Sequence, residues 1–292
     1  MKTKVLIAIL LYPFILCSAK EYENIEQGGD NVTDSLIIPT PLLSSDFTSS
    51  LFFNYTKSHG LPNEGFAVYG NYAFALYLTG ICDIYDLNTK QFVNSFHLGS
   101  YSSTNHANVA DFGIEFPEGN RDFPAMYVSE CLNKRRCFVE DITTTGSKLI
   151  QTISVDSVVT GKMDFLIDRK RKLIYVVSSS GTTYNIIAFR LPQLSEGNNV
   201  VLTGKDIFEK FAITAKGTPQ GLFIYNGYMY SLMSGPNNLY EINLTNPDHE
   251  VSIINFEPNF PGWECEDLYL YQNYLLISFN GGGVYSFKNN AE

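Results

Sequence analysis

Glu64, Asn108, Lys162, Gln220 and Glu266 stand at equivalent points along this 292-residue chain. Each opens a short apolar run that leads through a turn into a second one. The copies read EGFAVYGNYAFALY, NVADFGIEF with FPAMYVSE after it, KMDFLIDRKRKLIYVV, QGLFIYNGYMYSLM and EDLYLYQNYLLISF. With His106 two residues before Asn108, and Trp263 three before Glu266, the set comprises two carboxylates, an ammonium, two amides, an imidazole and the only indole of the chain. Side chains of these types, if gathered, hold a polar ligand such as a glycan or peptide. Trp263 adds a face for stacking on a sugar or pairing with a cation. Glu64 and Glu266, brought onto one substrate, have the chemistry of a general acid and base, which makes Glu64 the catalytic candidate. The alternative is that these residues satisfy one another and order water; His106, beside Asn105, Asn108 and Asp111, also reads as a structural hydrogen-bonding residue.

Other chemistries are excluded by what the chain lacks. There is no GxSxG, no Ser or Cys with a recognisable base nearby, and no Gly-rich phosphate loop. The cysteines form no CxxC or CxxH pair and the acidic residues have no EF-hand spacing, so no metal or other cofactor is expected. Thirty acidic residues against 20 basic ones give a net charge of −10. A surface of that sign repels nucleic-acid phosphates, and nucleic-acid binding is not expected.

The elements that must position the polar set are strands. The five positions are 44, 54, 58 and 46 residues apart. A period near this length, built from short strands and rich in Tyr and Phe, predicts the blades of a β-propeller. Turn signals separate the strands: Gly70-Asn71, Asn226-Gly227 and Gln272-Asn273 within three of the copies, and Gly235 to Asn238 or Gly281-Gly282 further on. After Glu266 only 26 residues remain, enough for three strands. Leu51 to Tyr55, ahead of the first copy, is therefore expected to supply the fourth and close the ring. The predicted architecture is an all-β five-bladed propeller over residues 47–292, with six blades as the alternative. The stretch 204–213, GKDIFEKFAI, has a helical look and is expected to be a linker turn.

Residues 1–19 read as an export signal: Lys2 and Lys4, an apolar stretch from Val5 to Cys17, and a small-residue cut after Ala19. Residues 20–46 read as a flexible lead. The expected location is secreted, periplasmic or extracellular, with a lipid anchor at Cys17 as the alternative and the sole route to a membrane. No later segment has the roughly 20 uninterrupted apolar residues of a membrane span. In an oxidising compartment Cys131 and Cys137, which flank LNKRR in a predicted hairpin, are expected to form a disulfide. Cys82 and Cys265 fall in the first and last blades, and their pairing is left open. Asn31, Asn54 and Asn243 head glycosylation sequons.

The segment TPQGLFIYNGYMYSLMSGPNNLYEINL resembles a blade of the secreted five-bladed propellers of the glutamine cyclotransferase type, and PNEGFAVYGNYAFALY is similar to it at Glu64-Gly65. The likeness covers two copies, about a third of the chain. It implies the propeller fold and, by position, a catalytic acid/base role for Glu64. The chain departs from that pattern at Asn108-Val109, Lys162-Met163 and Glu266-Asp267, and has only Trp263 where the family has a Trp-lined pocket. Three functions follow: a propeller binding a polar small molecule, glycan or protein partner at its channel mouth through Glu64, His106, Asn108, Lys162, Gln220, Trp263 and Glu266; a cyclotransferase-like or hydrolytic enzyme; and an interaction scaffold.

Overall fold

The computed structural model describes residues 40–290 apart from 58, 134 and 156–158. The expected export signal, residues 20–39 of the lead, Cys17 and the Asn31 sequon lie outside the described residues. Those described form β1 (Phe47–Phe53) and then five repeats. These are β2–β5 (Asn63–Tyr69, Tyr72–Tyr77, Ile81–Asp86, Gln91–His97) and β6–β9 (Ala107–Phe112, Met126–Glu130, Arg136–Ile142, Ser147–Val155). Next come β10–β14 (Lys162–Asp168, Leu173–Ser180, Thr183–Arg190, Asn199–Leu202, Ile207–Thr214), β15–β18 (Thr218–Tyr225, Tyr228–Ser234, Asn238–Asn243, Val251–Asn255) and β19–β21 (Cys265–Tyr271, Tyr274–Phe279, Gly283–Asn289). No α-helix occurs among the described residues.

The pairing is that of a five-bladed propeller. Four sheets have four strands, in the orders β2-β3-β4-β5, β10-β11-β12-β14, β15-β16-β17-β18 and β19-β20-β21-β1, and the remaining blade has five. Consecutive strands pair antiparallel through short turns, and β2, β6, β10, β15 and β19 are the innermost. Ring closure follows the expectation: β1 pairs antiparallel with β21, from Phe47 opposite Asn289 to Phe53 opposite Val284. The strand begins four residues earlier than Leu51 and ends before Asn54.

The near-continuous apolar runs of the inner strands reflect burial of both faces of each sheet. Along β10, Leu166 packs in a core shared with Leu222, Met229 and Tyr240 of the next blade. Its neighbours Phe165 and Ile167 point the other way, into a core with Tyr127, Val139 and Ile153 of the preceding blade. Alternate residues thus feed alternate inter-blade cores, and a one-residue slip would exchange them.

The model differs from the sequence expectation in several places. Residues 204–213 are a layer of the fold: Gly204–Asp206 is a single 3₁₀ turn capped by Thr203, and β14 is the outermost strand of its blade. The strict alternation of half-buried and exposed residues along IFEKFAIT has the period of a strand, which overrides its helix-like composition. Before it, β13 leaves its own blade and pairs parallel with β9, from Asn199 opposite Thr152 to Leu202 opposite Val155. That excursion accounts for the longest repeat spacing. The end of the lead is seated on the propeller, with the Leu42 and Leu43 N–H groups donating to Tyr230 Oη (3.0 Å) and Glu241 Oε1 (3.3 Å), and Ser44 to Asn289 Oδ1.

The predicted Cys131–Cys137 disulfide is not formed. The residue opposite Cys137 is Ser129, while Cys131 lies beyond the end of β7, where its N–H donates to His106 of the same blade and its carbonyl accepts from Met163 of the next. Cys82, Cys131, Cys137 and Cys265 are all free and buried.

Candidate ligand site at one mouth of the propeller

Four of the five inner strands carry a β-bulge at the aligned polar position. Between Asn63 opposite Tyr77 and Phe66 opposite Ala75, Glu64 and Gly65 face one partner residue, so β2 holds one residue too many. The same insertion occurs at Asn108-Val109, Gln220-Gly221 and Glu266-Asp267. Only β10 runs in unbroken register from Lys162 to Asp168. A bulge bends its strand and re-aims a side chain that regular pleating would send elsewhere. Here it does so at the same height in four blades.

The second residue of the last bulge fills the axis. Asp267, fully buried, accepts the N–H groups of Phe66 (2.8 Å) and Ala110 (3.1 Å) on one oxygen and its neighbour Leu268 (2.9 Å) on the other. A Cβ on Gly221 of a third inner strand would lie 2.3 Å from the same carboxylate, so only glycine permits that approach. Further along, Asp111 accepts from Ile167 N–H (3.1 Å), Phe112 N–H (2.8 Å) and Tyr269 Oη (3.3 Å), and the guanidinium of Arg169 lies over the Tyr269 ring. Burial pushes both carboxyls up from the ordinary value. The two aspartates bind residues of all five inner strands or abut them, and so tie those strands together beyond the aligned polar positions.

The predicted residues gather at that mouth. Glu64 Oε2 is 3.3 Å from His106 Nε2. Asn108 Nδ2 donates to Asp164 Oδ1 (3.1 Å), Lys162 Nζ to the Pro219 carbonyl (2.9 Å), and Gln220 Nε2 to both Ser234 Oγ (3.1 Å) and Glu264 Oε1 (2.9 Å). Glu266, buried beside Glu64 and Glu264, is pushed up to about 10, by desolvation first and then by those neighbouring carboxylates. Asp164 is pushed up to about 6 by burial, against the pull of Lys162, Asn108 and His106. Both shifts favour the protonated carboxyl, more strongly at Glu266 than at Asp164.

Trp263 stands apart from this set. Its ring packs edge-to-face on Phe260, Phe279 and Tyr285 and lies against Gly282, at the rim of its blade, with 39% of the residue exposed. Asp164 and Glu264 complete the cluster. Asp164 sits two residues after Lys162 on the same face of β10, a period-2 relation that marks it. Glu264 precedes its strand and nothing in its local pattern distinguishes it. Among the described residues, no three His, Cys, Asp or Glu side chains are arranged to hold a metal ion. Two surface hollows, of about 370 and 320 Å³, lie away from the mouth, one lined by Pro41, Leu43, Ser44, Ser45 and Glu241 and the other by Arg190 and Asp206. Of the two described sequons, Asn54 is exposed, whereas Asn243 Oδ1 accepts from the Thr245 and Asn246 N–H groups.

No protein-family model matches the chain, and no curated protein matches it. Among solved structures it is similar to a glutaminyl cyclase from Myxococcus xanthus, with a TM-score of 0.52 and 12% identity over 82% of this chain and 95% of that one. It also aligns with BamB from Moraxella catarrhalis at a TM-score of 0.40 and 12% identity, over 79% and 84% of the two chains. At such identities the first likeness is one of fold, in agreement with the five blades.

Proposed function

We propose that the chain is a propeller that binds a small polar ligand at the mouth where its inner strands begin. The observation that carries the reading is the bulge at the same aligned polar position in four inner strands, with Asp267, the second residue of the last one, bonded to two neighbouring inner strands. A fold held together only by its inter-blade cores has no need of one irregularity repeated in four blades. Export through residues 1–19 is part of the proposal, and the partner is a molecule met outside the cytoplasm.

A second reading is an enzyme of the cyclotransferase or hydrolase kind. It is favoured by the pairing of Glu64 with His106 beside a protonated Glu266, which supplies a base and an acid within one cluster. Glu64→Gln separates the two. In a binder, one hydrogen-bond acceptor replaces another and affinity changes by less than about tenfold. In an enzyme using Glu64 as acid/base, turnover falls by about 10² to 10⁴. A glycan and peptide array, with wild type beside a Glu64/Gln220/Glu266 triple variant, tests the common premise. Equal signals from both proteins would remove the mouth from consideration and leave a scaffold that uses other surfaces.

A further inference from the structure

The charged side chains of the mouth are largely hydrogen-bonded among its own groups. Glu64 is met by His106, Glu264 by the Gln220 amide, and Lys162 by the Pro219 carbonyl with Asp164 and Glu266 close by. An anion entering here would meet Glu64, Asp164 and Glu264. What remains open is a mixture of fixed donors and acceptors. Asn108 is 1% exposed, and its Oδ1 has no hydrogen-bond partner. Its Nδ2 donates to Asp164 Oδ1, which leaves the oxygen as the orphan. A buried acceptor without a donor is costly and calls for one from outside. Beside it stand the remaining N–H bonds of Lys162 and the protonated carboxyl of Glu266 as donors.

A hydroxyl gives one hydrogen bond and accepts others at the same atom, which suits a floor where donors and acceptors alternate. At the rim Trp263 offers the complementary surface. Phe260, Phe279 and Tyr285 hold it edge-to-face. A Cβ at Gly282 would lie 2.2 Å from the indole, so the ring rests on bare backbone while part of its surface stays open. Glu264, next in the chain to Trp263, accepts from the Gln220 amide at the mouth, and an apolar platform linked in this way to donors and acceptors matches the two faces of a pyranose, C–H on one side and O–H at the edge.

Resting on the mouth-binding reading, we infer that the ligand is a neutral oligosaccharide, with the hydroxyls of one unit on Asn108, Lys162 and Glu266 and the ring of another on Trp263. Because Trp263 is the only tryptophan, intrinsic fluorescence of the full chain reports on its own proposed subsite. The experiment titrates the protein with cellobiose, maltose, lactose and diacetylchitobiose, and in parallel with triglycine and trilysine, using wild type, Asn108→Ala and Lys162→Met. Trp263→Phe is followed by calorimetry, and melting curves verify that each variant is folded. Saturable quenching by at least one disaccharide, weakened about tenfold or more in the folded variants, is the expected result. A tripeptide that binds and is lost with Lys162→Met, while no sugar binds, overturns the carbohydrate inference and leaves the mouth reading intact. Sugar binding that all three variants retain places the sugar elsewhere and overturns it too. Silence from every probe overturns both.

Discussion

Glu266 shows how one residue's setting decides a property of the whole chain. Its carboxyl is pushed from 4.5 to about 10, so the folded state keeps a proton that the unfolded chain releases. Between those values the unfolded state binds fewer protons, and stability falls as pH rises, by at most about 1.4 kcal/mol per pH unit for one such group. Asp164, pushed up to about 6, adds to the fall below neutrality, while the lowered carboxyls Glu196, Asp206 and Glu257 oppose it only in the acid range. The melting temperature should therefore drop from pH 6 to pH 9, and Glu266→Gln, an uncharged replacement, should flatten that drop and raise the midpoint at pH 9. A wild-type midpoint that climbs over this interval would contradict the assignment. The four described thiols make a second test. Burial pushes each of them up from the ordinary thiol value, so they should resist a thiol reagent until the chain unfolds, and reducing agent should leave the melting temperature unchanged. The positions of the mouth residues were legible in the sequence, but their partners were not. Glu64 and His106 meet across two blades, as do Asn108 and Asp164, and nothing in a linear pattern states such a distance.

At the scale of the element, the bulges and the closing strand carry the argument. The Gln-Gly and Glu-Gly pairs that stood out in two copies are bulge pairs, and the glycine is explained at Gly221 by the carboxylate pressed against it. The Asn108-Val109 and Glu266-Asp267 bulges carry no glycine, and only the register reveals them. The closing strand β1 was foreseen from a deficit, since three C-terminal strands needed a fourth. Its grip extends beyond backbone pairing: Phe53 is buried and stacks on Tyr85 of the first blade at 4.7 Å between ring centroids. Phe53→Ala should cost about 3–5 kcal/mol, measured by denaturant unfolding, because it removes a large side chain where first and last blades meet. A loss under about 1 kcal/mol would show that β1 is dispensable for closure. The helix-like reading of residues 204–213 failed because strong helix formers such as Glu and Lys tolerate an exposed outer strand when their alternation suits it.

At the scale of the molecule, the linear pattern already carried a five-bladed ring, with six blades as the alternative, and its closure by a strand from ahead of the first copy. Those follow from repeat length and from period-2 apolar patterning, which are local properties of the chain. The uneven spacing also has local causes that became clear afterwards: β13 is lent to the preceding blade, and residues 113–125 separate β6 from β7. What that pattern could not state, and the tertiary structure supplies, is that Asp267 ties the inner strands together at the axis. The reason is geometric: with five blades the inner strands come so close that one aspartate side chain spans from β19 to β2 and β6 while touching β15. It likewise decided which acids stay protonated, because desolvation depends on everything packed around a group, and it left Trp263 at the rim although its sequence neighbour Glu264 reaches into the mouth.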